Sequence, residues 1–259
     1  MAKKEKGGFW VGLAAAIFFP MTRILARRKF VGLEHIPFDR PVLVVANHIS
    51  YLDPVYSAVF VRSARRVPRF LAKASLWKIP VLGQILKGSG QIPVHRGSVD
   101  ARRSLQSGLE ALGEGKVVVI YPEGTITRDP EVWPMHSHVG VGRLAVDHCV
   151  NGEAICVPMV HWNTHLVFDK YKKKLSLFPR KNVTIQAGPP LDLSRFQGRE
   201  VDAELLREVT DHLMGEVRTL LAEVRQETAP TEFYTVRKKK DADSGEAVEK
   251  NAAPKDGEQ

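Results

Sequence analysis

The sequence predicts a single α/β domain, a mixed and mostly parallel sheet covered by helices, with an apolar helical segment at its N-terminus. Short runs rich in Val and Ile alternate with longer stretches whose apolar residues recur every three or four positions. This alternation is typical of sheets covered by helices. A chain of 259 residues with 44% hydrophobic and 26% charged residues is also long enough, and ordinary enough in composition, to bury a full core.

The individual elements follow from these patterns in chain order. Apolar runs predict buried strands at residues 41–46, 68–72, 91–94, 117–121, 155–160 and 183–187. Helical spacing of apolar residues predicts helices at 55–66, 99–112 and 201–224. Gly113 and Gly115 end the second of these helices, because glycine suits the left-handed cap conformation.

The N-terminal segment combines positive charge with apolar sequence. Three lysines among the first six residues precede an apolar run at 9–19, which ends at Pro20, and three basic residues follow at 27–29. The run is short for a bilayer span, which takes about 20 apolar residues. Basic flanks on both sides favour a segment that lies in an anionic membrane surface. A secretory signal and a core helix are the two alternatives.

These observations predict three regions: a membrane-associating segment at 1–30, a folded domain at 31–227 and a disordered polar tail at 228–259. Cys149 and Cys156 lie in or near apolar sequence without a metal or redox spacing, so we predict reduced packing residues in a reducing compartment. We therefore expect a peripheral or monotopic protein at the cytoplasmic face of the cell membrane.

The distribution of charge limits the partners. The net charge is +9, and ten basic residues stand against one acid, Asp100, between residues 62 and 103. Such an excess indicates an anionic partner, which could be a phosphate-bearing substrate, an anionic membrane or a nucleic acid, or it is simply a solvated basic face. Aromatic residues do not interleave with the basic ones as stacking platforms would, so we expect no nucleic-acid partner.

His48 and Asp53 are the candidate catalytic residues. His48 follows the predicted strand at 41–46, and Asp53 precedes Pro54 at the predicted start of a helix. A histidine beside a carboxylate can act as a general base whose tautomer the carboxylate fixes. The alternative is a loop histidine beside a helix-capping aspartate. Backbone amides of the helix that follows Asp53 are candidate donors for an oxyanion.

Two further strand ends carry candidate phosphate ligands. Arg96 follows the predicted strand at 91–94, and the planar arginine fork matches a phosphate bidentately. Glu123, Gly124 and Thr125 follow the strand at 117–121. Here glycine lets backbone amides face a ligand and threonine adds a hydroxyl donor, whereas the glutamate could accept a bond from a substrate hydroxyl or hold Arg96. Ligands gather at the carboxyl ends of strands in open α/β sheets.

Four motifs in this order resemble those of the glycerolipid acyltransferases. They are N-H-x-x-x-x-D at 47–53, G-x-I-P-V-x-R at 90–96, Y-P-E-G-T at 121–125 and V-P-M at 157–159, and the resemblance covers residues 20–225. It implies transfer of an acyl group from acyl-CoA or acyl carrier protein to the free hydroxyl of 1-acylglycerol 3-phosphate. The product would be phosphatidic acid, a precursor of phospholipids.

The resemblance also implies a role for each motif. His48 would be the general base and Asp53 its partner. Arg96, with the loop that carries Glu123, Gly124 and Thr125, would hold the glycerol phosphate. Val157 and Pro158 would help to form the acyl-binding region. The partners are then a lysophospholipid acceptor, an acyl-CoA donor and an anionic membrane surface, with no metal, no cofactor and no acyl-enzyme intermediate.

Two departures from the family pattern keep other acceptors open. The third motif commonly continues with arginine, whereas Ile126 stands there and Arg128 comes two residues later. His136 and His138 precede Gly140 where relatives often carry basic residues. Another lysolipid or a glycolipid is therefore an alternative acceptor. Two other classes are a non-catalytic anionic-lipid binder and a metal-dependent hydrolase in which further histidines, His136, His138 or His161, complete a site with His48 and Asp53.

Overall fold

The computed structural model describes residues 5–94 and 98–235. The strands are β1 (Arg27–Val31), β2 (Val42–Ala46), β3 (Pro68–Lys73), β4 (Ile92–Val94), β5 (Val117–Ile120), β6 (Ile155–Trp162), β7 (Phe168–Asp169), β8 (Lys174–Leu175) and β9 (Asn182–Ala187). The helices are α1 (Gly8–Leu25), α2 (Asp53–Ser63), α3 (Leu82–Gly88), α4 (Ser98–Gly113), α5 (Gly140–His148), α6 (Thr164–Val167) and α7 (Ala203–Arg225). The six predicted strands and the three helices predicted from residue 55 onward are all present, with bounds shifted by at most three residues, and the α/β fold class is confirmed.

Seven strands form one mixed sheet in the order β1-β9-β6-β2-β5-β3-β4. β2 is parallel to both of its neighbours, β5 and β6, and β3 and β4 continue the parallel arrangement. β9 runs antiparallel to β6, and β1 runs parallel to β9. The carboxyl ends of β2 to β6 therefore meet the amino ends of β1 and β9 at one edge, which we call the C-terminal edge of the sheet.

Helices cover both faces of this sheet, because its central strands are apolar on both sides. The side chains of β2 are all fully buried and alternate between two cores. Leu43 and Val45 belong to the core that α5 and α7 complete. Val44 belongs to the opposite core, where Tyr56 and Phe60 of α2 pack. Continuous apolar strands of this kind are typical of parallel sheets that are buried on both faces.

The N-terminal helix α1 packs against α2 and α3. It continues through Pro20, where we expected the apolar run to end. Pro20 and Ala16, whose carbonyl Pro20 cannot bond, are both exposed, so solvent can reach the unpaired group. Among the described residues, α1 is the one helix that is long and apolar enough to cross a membrane.

Both predicted region boundaries differ from the structure. β1 belongs to the sheet, where Phe30 packs edge-on against Phe60 at 5.3 Å, so the folded domain begins before residue 31. At the other end, residues 228–235 lie against the domain instead of starting a free tail. Phe233 packs on the core and Tyr234 forms a β-bridge with Met135. Residues 236–259 lie outside the described residues.

Candidate active site

His48 and Asp53 meet at the C-terminal edge of the sheet. β2 ends at Ala46, and His48 lies in the loop that connects it to α2, whose first residue is Asp53. The His48 Nδ1 and Asp53 Oδ2 atoms are 2.9 Å apart. The Asp53 carboxylate is fully buried, whereas the imidazole side chain keeps 15% of its surface exposed. The structure therefore brings the predicted pair into hydrogen-bonding contact, with only the histidine open to a ligand.

Asp53 organises the loop that carries His48. Its Oδ2 also accepts hydrogen bonds from the backbone amides of Ile49 (2.6 Å) and Ser50 (2.7 Å). Its Oδ1 accepts one from the hydroxyl of Thr164 (2.5 Å), which begins α6. Among the described residues, none of these donors belongs to α2 itself. Asp53 is thus not a helix cap, since its carboxylate turns back onto the loop that holds the histidine.

The electrostatic surroundings keep Asp53 ionised. Burial raises the pKa of its carboxyl, but attraction to His161 and the hydrogen bonds from His48 and Thr164 outweigh that cost and hold the pKa below its usual value. An ionised carboxylate can accept only, so the Nδ1 atom of His48 carries the proton. Nε2 is then the unprotonated nitrogen of the neutral ring, which is the form a general base needs.

The backbone of His48 is held on both sides by the loop after β5. The amide of His48 donates to Glu123 Oε1 at 3.0 Å, and its carbonyl accepts from the amide of Thr127 at 2.7 Å. Glu123 Oε2 accepts from the amide of Met135 at 3.0 Å. Burial raises the pKa of Glu123 to about 8, against the opposing effect of these two amide bonds. The hydrogen bonds that the structure gives Glu123 are therefore to backbone amides, and they hold the loop that carries His48.

A buried polar network behind His48 was not found from the sequence. The ring of Tyr121 stacks on the His48 imidazole with centroids 4.5 Å apart and planes 28° apart. Its hydroxyl shares a hydrogen bond with Ser57 Oγ at 2.9 Å, and Ser57 Oγ shares another with His161 Nε2 at 2.7 Å. Asn47 is paired with the backbone of His161 through both of its amide atoms. Burial lowers the pKa of His161, and attraction to the nearby Asp53 carboxylate opposes that shift.

His48 opens onto an apolar cavity of about 710 Å³. Helices α1, α2 and α3 supply much of its wall, together with β3 and the loop after β5. Small and aromatic side chains of α1 face it, among them Ala14, Ala15 and Phe18. Its volume lies within the range of small-molecule sites, about 300–1,000 Å³. The cavity thus offers an apolar ligand a site that begins at the candidate base.

The other predicted ligands are placed differently from one another. Gly124 and Thr125 line the cavity beside His48, and Gly124 has the positive φ of +66° that favours glycine. Arg96 lies outside the described residues. Val157 and Pro158 are buried within β6 and do not line this cavity, and Val157 packs in the core beneath α2. The roles of all five residues stay predictions.

The structure changes one expectation about the surroundings of His48 and adds one residue to them. The amides at the start of α2 are occupied within the protein, since those of Val55 and Tyr56 both donate to the Leu52 carbonyl, and Pro54 has none. They are therefore not free to hold an oxyanion. Lys170, which the sequence patterns did not select, lines the cavity with His48 and Thr125. It lies on the β7–β8 hairpin, more than a hundred residues from His48 in the chain.

The part of the chain that the structure describes contains no evident set of metal ligands. There, no group of three or more His, Cys, Asp or Glu side chains is arranged to hold a metal ion. His161 bonds to Ser57 through Nε2. His136 and His138 lie after β5, where both backbone amides bond to neighbouring carbonyls.

The part of the chain that carries this histidine–aspartate pair matches an established family. The model of the Acyltransferase family covers residues 27–162, just over half of the chain. The chain therefore belongs to the Acyltransferase family. Among its members it resembles the 1-acylglycerol-3-phosphate acyltransferases.

Individual relatives match parts of the chain. A 1-acyl-sn-glycerol-3-phosphate acyltransferase of Chlamydomonas reinhardtii is 32% identical over 133 residues, which cover 50% of this chain and 36% of the relative. A lyso-ornithine lipid O-acyltransferase of Pseudomonas aeruginosa is 32% identical over 117 residues, covering 45% and 43%. The matches thus span between about a third and two fifths of these relatives.

A solved structure supports the fold. The crystal structure of PlsC, the 1-acyl-sn-glycerophosphate acyltransferase of Thermotoga maritima, superposes with a TM-score of 0.62 and 23% identity. The match covers 82% of this chain and 80% of the other. At this identity the similarity establishes the shared fold.

Proposed function

We propose that the protein transfers an acyl group from a thioester to the hydroxyl of a phosphorylated lysolipid, with 1-acylglycerol 3-phosphate as the leading acceptor. The observation that carries this proposal is the position of His48. Its Nδ1 is fixed by a buried carboxylate, and its ring opens onto an apolar cavity. A base at the opening of an apolar cavity suits the attack of a polar alcohol on a thioester whose long acyl chain lies in the cavity.

The reaction follows from this geometry. The acceptor hydroxyl loses its proton to His48 Nε2 as its oxygen attacks the thioester carbonyl, and Asp53 stabilises the imidazolium that forms. The tetrahedral intermediate then collapses, the carbon–sulfur bond breaks and an ester remains. The proton on His48 is available to the departing thiolate, which restores the neutral base. General-base catalysis of this kind contributes about 10²–10⁴ in rate.

The phosphate of the acceptor is assigned to the loop that lines the cavity beside His48. Gly124 and Thr125 offer a glycine turn and a hydroxyl, and Lys170 adds a positive charge to the same wall. Burial and the nearby charge of Arg128 both lower the pKa of Lys170, and a bound phosphate would offset that repulsion between the two cations. We propose Arg96 as an additional ligand.

The donor and the location are proposals of the same kind. The cavity wall of α1, α2 and α3 accepts the acyl chain, and either acyl-CoA or acyl carrier protein could present the thioester. α1 has an exposed apolar face that includes Phe9, Ile17 and Ile24, and no acidic residue lies in this helix. This face supports peripheral or monotopic attachment to the cytoplasmic face of the cell membrane.

Thiol release from acyl-CoA with a panel of acceptors tests the proposal. We expect rapid, acceptor-dependent release with 1-acylglycerol 3-phosphate, slower release with glycerol 3-phosphate and least with lysophosphatidylcholine, whose phosphate is a diester. The same assay with acyl carrier protein thioesters distinguishes the donors. Binding to vesicles without thiol release for any acceptor would instead identify a non-catalytic lipid binder.

A lysolipid without a phosphate is the second candidate acceptor. Ile126 occupies the place where the family commonly has arginine, and its side chain is buried, so it offers no charge to a phosphate. The similarity to a lyso-ornithine lipid O-acyltransferase points in the same direction. Including lyso-ornithine lipid in the acceptor panel distinguishes the two candidate acceptors. Faster thiol release with lyso-ornithine lipid than with 1-acylglycerol 3-phosphate would make the lipid without a phosphate the leading acceptor.

A further inference from the structure

The segment 166–180, which contains the β7–β8 hairpin, has a surface that its packing does not explain. From residue 171 to 180 every residue except Ser176 is exposed. The exposed side chains include large apolar ones, with Phe178 exposed at 88% and Leu175 at 49%. A soluble surface rarely shows several such side chains together without a partner.

The same segment is strongly basic. Residues 166–181 contain six lysines and arginines and one acid, Asp169. Asp169 pairs with Lys172 at 3.5 Å, and no salt bridge of Lys173 or Lys174 is found within the described residues. Apolar side chains between unpaired lysines are complementary to one kind of partner in particular, a bilayer that contains anionic lipid.

The position of the segment relates it to the cavity. The Ser50 hydroxyl, in the loop of His48, donates to the Phe168 carbonyl at 3.0 Å. The Tyr171 hydroxyl donates to the Thr127 carbonyl at 2.7 Å, which ties the hairpin to the second loop of the site. The hairpin is thus attached to both loops that surround the opening of the cavity.

The segment is also continuous with the apolar N-terminal helix. The guanidinium of Arg180 donates to the carbonyls of Arg23 and Ala26, at the end of α1. β9 begins at Asn182 on the C-terminal edge of the sheet, so Phe178 lies on the same edge as the site. Two apolar and basic elements, α1 and the segment 166–180, are therefore joined beside one opening.

We propose that the segment 166–180 is a second membrane-docking surface, which inserts Phe178 into an anionic bilayer and holds the cavity opening against it. The inference rests on the proposed function, because a lysolipid acceptor and an acyl chain must enter the cavity from a bilayer. Docking beside the opening shortens their path and keeps the apolar chains out of water.

Site-specific labelling tests the docking directly. In the variant Phe178→Cys an environment-sensitive fluorophore is attached to the new thiol, while Cys149 and Cys156 are buried and shielded from the reagent. Phe38→Cys is the matched control, since Phe38 is also exposed, at 48%, but precedes β2 and lies on the opposite edge of the sheet. The probe is a vesicle of phosphatidylcholine with or without phosphatidylglycerol.

We expect the label at residue 178 to shift to a blue emission with anionic vesicles and the label at residue 38 to remain unchanged. Vesicle affinity should fall about fivefold for each of Lys172, Lys173 and Lys174 changed to Gln, and at least about tenfold for Phe178→Ser. Arg195→Gln, also exposed but on the opposite edge, should leave the affinity unchanged.

Activity separates this inference from the proposed function. With a short-chain acceptor dissolved as monomers, Phe178→Ser should release thiol at the parent rate, whereas with acceptor in vesicles it should be at least fivefold slower. A protein that docks through residue 178 but never releases thiol would contradict the proposed function alone. A protein that binds vesicles with no shift at residue 178, or that binds no vesicles, would overturn the docking surface.

Discussion

Replacing Asp53 with Asn removes the negative charge of the proposed catalytic pair and leaves the shape of the side chain nearly unchanged. The amide oxygen can still accept from His48 Nδ1, now 2.9 Å from Oδ2, and from the two loop amides. The new amide group then faces the hydroxyl of Thr164, whose oxygen can accept a bond. The loop should therefore stay folded while the imidazolium of the transition state loses its partner charge.

The size of the effect follows from the distance between the two charges. Centres about 4 Å apart interact by roughly 4 kcal/mol at the effective dielectric constant of a protein, about 20. Each 1.36 kcal/mol is about tenfold in rate, so the full charge corresponds to about 10³. Because the amide keeps a dipole of the same sense, we expect kcat to fall by between about 10² and 10³, with the KM for the acyl donor unchanged.

Thiol release from acyl-CoA measures both constants, and a thermal melt shows whether the variant is folded. Thr164→Val is the companion variant, since it removes one hydrogen bond to Oδ1 and keeps the charge, and it should lower kcat by no more than about tenfold. A folded Asp53→Asn protein with kcat within threefold of the parent would refute the role given to the carboxylate.

Three further outcomes follow from the same structure. Lys170→Gln should raise the KM for a phosphorylated acceptor about tenfold and leave that for a neutral acceptor unchanged, and equal changes for both would remove Lys170 from the phosphate site. Ala58→Phe, in the cavity wall, should favour shorter acyl chains, as chain-length competition with acyl-CoA mixtures would show, and an unchanged preference would place the acyl chain elsewhere. Burial raises the pKa of Glu123 to about 8 from 4.5, so its neutral form stabilises the fold below pH 4.5 and this contribution is lost as pH rises to 8. Urea titrations of the parent and of Glu123→Gln measure this contribution. Between pH 4.5 and 8 the free energy of unfolding of the parent should fall by up to about 5 kcal/mol relative to that of the variant. Parallel pH profiles for the two proteins would contradict the raised pKa of Glu123.

Local sequence was sufficient for the elements with a simple pattern. A single run of residues was enough to predict strands β2 and β5, which are rich in valine. The same holds for the long helix α7, whose apolar residues recur at helical spacing. β1 escaped prediction because its sequence, Arg27 to Val31, is mostly charged, and it is a strand only through its pairing with β9. The two-residue strands β7 and β8 are too short to carry a period.

The candidate site was predictable where chemistry and chain position coincide. His48 and Asp53 are five residues apart, so one turn brings them together. His161 in β6 and Thr164 in α6 reach the same site from more than a hundred residues later in the chain, and no local pattern connects them to His48. For Glu123 the sequence motif indicated the residue but not its role. Its hydrogen bonds go to the backbone amides of His48 and Met135, and those contacts form only when two separate loops fold together.

Substitution of His48 tests the central claim most directly. His48→Ala removes the base and its hydrogen bond to Asp53 but none of the backbone contacts that hold the loop. In a thiol-release assay with acyl-CoA and 1-acylglycerol 3-phosphate, the folded variant should be at least about 10²-fold slower than the parent at saturating substrates. Turnover within a few fold of the parent, from a variant with an unchanged melting temperature, would contradict the assignment of His48 as the base.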